Sequence, residues 1–174
     1  PIHQLPGCRS VLTLPLPERM AALRMQMLAL HPFWGYLLMQ VQLVPAPELA
    51  SVAATDCLRY IWFNPIKTRH LDYEQLGFVL AHEVGHNLGC QHARGDSGAS
   101  KRGLFAQGHG HRFRASNGQG ASRQYRTIMA YAPGRRIGRF SNPASKFQGV
   151  SIGTSQANNV AVLNHTVKVV SGYR

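Results

Sequence analysis

Acidic side chains are scarce in this 174-residue chain: seven Asp and Glu stand against nineteen Lys and Arg, a formal net charge of +12. The shortage is local. Residues 1–92 carry six acids and six bases, whereas residues 93–174 carry thirteen bases and a single acid, Asp96. A one-sided basic half attracts acidic partners by steering and by direct pairing, or else forms a solvated surface that binds polyanions without selectivity. Long apolar runs are also missing. The best stretch, Gly35–Val44, is interrupted by Gln40 and Gln42 and falls short of the ~20 residues of a membrane span. Three cysteines are too few for a disulfide-dense scaffold, and their odd number leaves at least one thiol without an intramolecular partner. No basic start followed by an apolar block is visible at P-I-H-Q-L-P-G, so no leader is read there. With 44% hydrophobic residues, the chain can bury one core, and a single domain is expected over 1–174.

Residues 82–92 read H-E-V-G-H-N-L-G-C-Q-H, and this stretch points to a metal. On a helix, His82 and His86 project from one face, so both rings can reach one ion. Gly89 stands where the helix must stop and the chain reverse, a place that favours a residue tolerating positive φ. The turn then brings back His92 as a third ligand. Three imidazoles suit a tetrahedral zinc site with one position open, and in such motifs the Glu, here Glu83, serves as general base rather than as ligand. Chance produces a short H-E-x-x-H; the glycine and third histidine at fixed offsets make the eleven-residue form highly specific.

The extended motif is shared with the metzincin zinc peptidases, which carry a methionine turn beneath the metal. R-T-I-M-A-Y at 126–131 resembles that turn, with Met129 as the floor, 37 residues beyond His92. L-F-A-Q-G-H-G-H-R-F (104–113) and R-F-S-N-P-A-S-K-F-Q-G-V-S-I-G-T (139–154), followed by A-N-N-V-A-V-L-N, are similar to reprolysin-like bacterial peptidases of the peptidyl-Asp metalloendopeptidase type. The likeness covers about residues 72–174. Two departures are clear: an aspartate commonly follows the third histidine in that family, where this chain has Ala93, and the part before residue 70 is short for a reprolysin.

The resemblance implies an α+β, metzincin-like zincin: a small mixed sheet, an active-site helix above the cleft, and an irregular C-terminal subdomain with the Met-turn and a last helix. The subdomains would be 1–92, ending in the zinc-binding helix, and 93–174. It further implies one catalytic zinc ion and a zinc-dependent endopeptidase acting on protein or peptide. Secretion or export is expected, as are a monomer, no membrane span and no specific nucleic-acid partner. Tyr131 occupies the place where some metzincins stabilise an oxyanion; the plainer reading is a structural aromatic. Arg135, Arg136 and Arg139 fall where the family builds its specificity wall. A guanidinium there could pair with an acidic residue just after the scissile bond. Two other functions fit parts of the chain: a basic, zinc-stabilised module for polyanions or partner proteins, and a catalytically inactive relative.

Local patterns predict the elements. Pro17–His31 reads as a helix with Met20, Leu23, Met27 and Leu30 on one face, and Gly35–Val44 and Cys57–Phe63 read as strands parted by a turn at Pro45 and Pro47. Asp72 with Gln75 forms a capping box for a helix from Tyr73 to Leu88 that packs Leu76, Val79, Leu80 and Val84 inward. Residues 93–127, with seven Gly and seven Lys or Arg, read as a long irregular connection. A last helix is expected over Gln156–Val170, with Val160, Leu163, Val167 and Val170 on one side. His109 and His111 share a face if extended, so a second metal site is conceivable, but a structural role is preferred; His3, His31, His70 and His165 show no spacing signal. Cys90, inside the zinc loop, is expected to point away from the ion. Cys8, beside Arg9, is a candidate latency thiol for the open zinc position. The pairing of Cys8, Cys57 and Cys90 stays open.

Overall fold

The computed structural model describes residues 15–30, 32–99, 104–116 and 120–172. Cys8, His3 and His31 lie outside them. The chain divides into two compact units, one up to Val84 and one from Gly85 onward.

The first unit begins with helices α1 (Leu16–Leu30) and α2 (Pro32–Gln40). The expected strand from Gly35 is therefore helical as far as Gln40, and only Gln42–Pro45 is extended. A short apolar run does not reveal its period. Pro32 at the start and the helix formers Leu37, Leu38 and Met39 tilt this one to helix. Tertiary contact completes the choice. A Cβ at Gly35 would stand 2.1 Å from the Leu28 Cα, so the glycine allows the two helices to touch. Arg24 donates to the carbonyls of Leu38, at 2.6 Å, and Val41, placing a cation on the last carbonyls of α2. Met20 and Leu23 are buried, as are Leu38 and Val41.

Strands β1 (Gln42–Pro45), β2 (Ala53–Thr55) and β3 (Tyr60–Phe63) form a mixed sheet in the order β1-β3-β2, with β1 parallel and β2 antiparallel to β3. Ile61 and Phe63 of the central strand are buried. The strand expected from Cys57 starts three residues later, because the Asp56 carboxylate accepts the N–H groups of Leu58, Arg59 and Tyr60 at 2.9–3.0 Å and bends them into a turn. Buried Asn64 caps the short helix α3 (Pro65–Thr68) through Oδ1 and donates from Nδ2 to Pro47 and Leu49.

Helix α4 (Tyr73–Asn87) starts at the expected capping box. Gln75 N–H donates to Asp72 Oδ1 at 2.8 Å and Asp72 N–H to Gln75 Oε1 at 3.0 Å. Leu76, Leu80 and Val84 are buried and Val79 half-buried. The division between the units falls within this helix.

In the second unit, residues 93–127 contain a β-hairpin and are not wholly irregular. β4 (Arg112–Ser116) and β5 (Ser122–Arg126) pair antiparallel, and β6 (Arg135–Arg136) joins β5 in parallel. The hairpin was hidden by its outward arginines, although Phe113, Ala115 and Tyr125 keep the inward alternation of a half-buried strand. These three form the core with Ile137 and Ile152. Phe147 closes it from a small hairpin, β7 (Lys146–Phe147) and β8 (Val150–Ser151), with its ring centroid 4.9 Å from that of Tyr125.

Helix α5 (Asn159–Gly172) begins three residues later than expected. Its first residue, fully buried Asn159, donates from Nδ2 to Gly108 O at 2.7 Å and from its N–H to Ser141 Oγ at 2.8 Å. Val162 and Leu163 face inward, with Val160 and Val167 half-buried. Among the described residues no helix is long and apolar enough to cross a membrane. Helices with small sheets make this the α+β, metzincin-like architecture that the resemblance implies.

Candidate metal centre

His82, Glu83 and His86 are held by α4, whose end is set by Gly89 at φ +89°. There Cys90 N–H closes back on Gly85 O at 2.9 Å, the six-residue closure typical of a glycine helix stop. The reversal carries His92 to the helix. The ligand atoms of His82, His86 and His92 lie within 4.8 Å of one another, and among the described residues this is the one group of three or more His, Cys, Asp or Glu able to hold a metal.

Two rings are oriented by backbone. His86 Nδ1 meets Cys90 O at 3.0 Å and His92 Nδ1 meets Ser97 O at 2.9 Å. A carbonyl can only accept, so each Nδ1 carries the proton and each Nε2 presents a lone pair. Those two Nε2 atoms stand 2.9 Å apart. Facing lone pairs repel unless a cation lies between them, so the donor set fits a metal of the zinc type. Burial keeps the rings neutral as ligands must be. It pulls His86 down to about 4, helped by the nearby charge of His92, and it lowers His92 as well. Glu83, which follows His82 on α4, is buried, and loss of solvent raises its carboxyl to about 7.

Met129 is fully buried. A Cβ on Gly85, next to His86, would sit 2.8 Å from the Met129 Sδ, and one on Gly110 would sit 2.6 Å from the Met129 carbonyl carbon. Met129 therefore lies against the α4 segment that bears His86; Gly110 is required by the close approach of backbone, and Gly85 leaves room for the Met129 thioether. Ala93 N–H donates to Met129 O at 3.1 Å. The Tyr131 ring lies 4.2 Å from the His92 ring, centroid to centroid.

Sequence reading missed Asp96 and Arg112. The Asp96 carboxylate pairs through Oδ1 with Arg112 and accepts the Tyr131 N–H on Oδ2 at 2.9 Å, while Arg112 Nε donates to Tyr131 O at 3.0 Å. Arg126, opposite Arg112 in the hairpin, donates to Ala130 O and Gly134 O. The turn at residues 129–131 is thus clasped by two arginines and one carboxylate, four positions after the third histidine. The scarcity of acids was the available clue: Asp96 is alone in its half of the chain.

Other candidates fall elsewhere. Arg135, Arg136 and Arg139 border a cavity together with Arg123, and none of the three imidazoles lines it. His109 is buried; its Nδ1 lies 2.9 Å from His92 O, a structural tether. His111 stacks on Phe113. Cys57 and Cys90 are free thiols. Cys90 Sγ points to Asn159 O at 3.9 Å, and burial drives its thiol up to about 12, so it is an inert core group.

A family model described as metallo-peptidase family M12 matches residues 51–141, just over half of the chain and all three imidazoles. The chain belongs to metallo-peptidase family M12. No curated protein and no solved structure shows a significant match. Family and three-imidazole cluster together make it a zinc metallopeptidase, with protein or peptide as substrate.

Proposed function

We propose that this M12 peptidase is an exported endopeptidase of the peptidyl-Asp type, using Glu83 as general base. The observation that carries this reading is the convergence of two oriented Nε2 lone pairs and a third imidazole, with a buried carboxyl following His82 on α4. His82, His86 and His92 would hold the ion. A bound zinc ion polarises the scissile carbonyl and makes water a better nucleophile at neutral pH. Glu83, whose carboxyl is poised close to neutrality by burial, takes the proton of the attacking water and passes it to the departing amine. The Nδ1–H bonds to Cys90 O and Ser97 O hold the rings still while this happens. Met129 forms the apolar floor, and Tyr131 packs on His92 as a structural aromatic. The thirteen bases and single acid of residues 93–174 support a preference for acidic substrates by charge alone.

Glu83→Ala is the decisive variant. It should retain zinc by elemental analysis and lose peptide hydrolysis by about a thousandfold, within the usual range for a removed acid–base group. Full activity in that variant would overturn the assignment. A peptide digest with and without chelator separates this reading from a non-catalytic binding module.

A further inference from the structure

The cavity bordered by Arg123, Arg135, Arg136 and Arg139 has a volume of about 340 Å³, with Tyr125 and Phe147 in its walls. Glu83, Met129 and Tyr131, like the three imidazoles, do not border it. Its charge is unbalanced. The one acid of residues 93–174, Asp96, is engaged with Arg112, and no carboxylate lines the cavity. Arg139 gives one N–H to Lys146 O at 3.2 Å. The Nε of half-buried Arg136 is buried without a hydrogen-bond partner. Arg136 is also paired in register with Arg126 across β5 and β6, so two half-buried cations lie side by side, and burial with that repulsion lowers Arg136 to about 10.

Such an arrangement is relieved by a bound anion. Guanidinium forks match carboxylate and phosphate oxygens in pairs, and four of them exceed the need of one carboxylate. The volume reaches the lower range of ligand pockets, ~300 Å³.

We propose that this cavity is an exosite for a multiply charged oxyanion group, a phosphate or two adjacent carboxylates, carried by the peptide substrate away from the bond that is cut. The carrier clause rests on the endopeptidase reading; the anion site does not.

Calorimetric titration with inorganic phosphate at low ionic strength tests the site itself. Phosphate should bind the full chain, at least tenfold more weakly after Arg136→Gln or Arg123→Gln, and within twofold of wild type after Arg114→Gln, an arginine outside the cavity. Because Arg136 is half-buried and its loss can unsettle the fold, exposed Arg123 provides the second comparison. No binding, or equal weakening by all three variants, would overturn the site. Peptides bearing Asp-Asp, Asn-Asn or phosphoserine then test the carrier. The two charged peptides should have KM values at least tenfold lower, raised by added phosphate, whereas the KM of the Asn-Asn peptide should not respond. Equal KM values for all three would overturn the carrier clause and leave phosphate binding as that of a free ion. If no peptide is cut, the peptidase reading fails while the phosphate titration still decides the site.

Discussion

Replacing Asp96 with alanine removes two interactions in one step: the ion pair with Arg112 and the acceptor of the Tyr131 N–H. The Asp96 side chain is 6% exposed and that of Arg112 20%, so this is not a surface pair of little consequence. Breaking one partner of a fully buried pair costs about 3–5 kcal/mol. Arg112 keeps some solvent and its bond to Tyr131 O, which reduces the expected loss to about 2–3 kcal/mol. Repulsion from Arg126, directly opposite across the hairpin, keeps the cost from falling further. Asp96→Asn retains an acceptor for the Tyr131 N–H and should lose about half as much. Urea unfolding followed by circular dichroism measures both. A metal titration reads the functional consequence: Asp96 anchors the loop whose Ser97 O orients His92, so zinc affinity should fall about tenfold in the alanine variant, as when other supports of ligand histidines are lost. An alanine variant within ~0.5 kcal/mol of wild type and with unchanged zinc affinity would refute the clasp.

Zinc affinity should hold as pH falls. With His86 lowered to about 4 and His92 lowered too, protons compete for these two rings only in more acid solution, so together they should cost under about tenfold in affinity from pH 7.5 to 5.5. Two ordinary histidines would lose about a hundredfold over that range, and a competition assay with a chromophoric chelator distinguishes the cases. Gly110→Ala drives a methyl group into the Met129 carbonyl and should cost about 3 kcal/mol by thermal unfolding, since backbone cannot yield like a side-chain tip. Tyr131→Phe keeps the ring on His92 and should change kcat by less than about threefold; a hundredfold loss would assign its hydroxyl to oxyanion stabilisation.

The helix of the metal centre was legible because its information is local. Asp72 and Gln75 announce its start, the 3.6-residue period sets His82 and His86 on one face, and Gly89 ends it. The stretch Gly35–Gln40 was not legible. An apolar run admits helix or strand, and here the choice is settled by Leu28 packing against a missing side chain and by Arg24 on the last carbonyls. The hairpin in residues 112–126 was obscured for a related reason: its arginines make a loop-like composition, while only pairing shows which of them face outward.

The order of residues alone determined which chemistry this protein carries, because helical spacing places ligands without help from distant chain. Tertiary structure decided how that chemistry is supported: Asp96 takes the Tyr131 N–H, Ser97 O and Cys90 O choose the tautomers, and four arginines meet around a cavity with no carboxylate in its lining. These are contacts between residues far apart along the chain, or set by the path of a loop, and no periodicity records them.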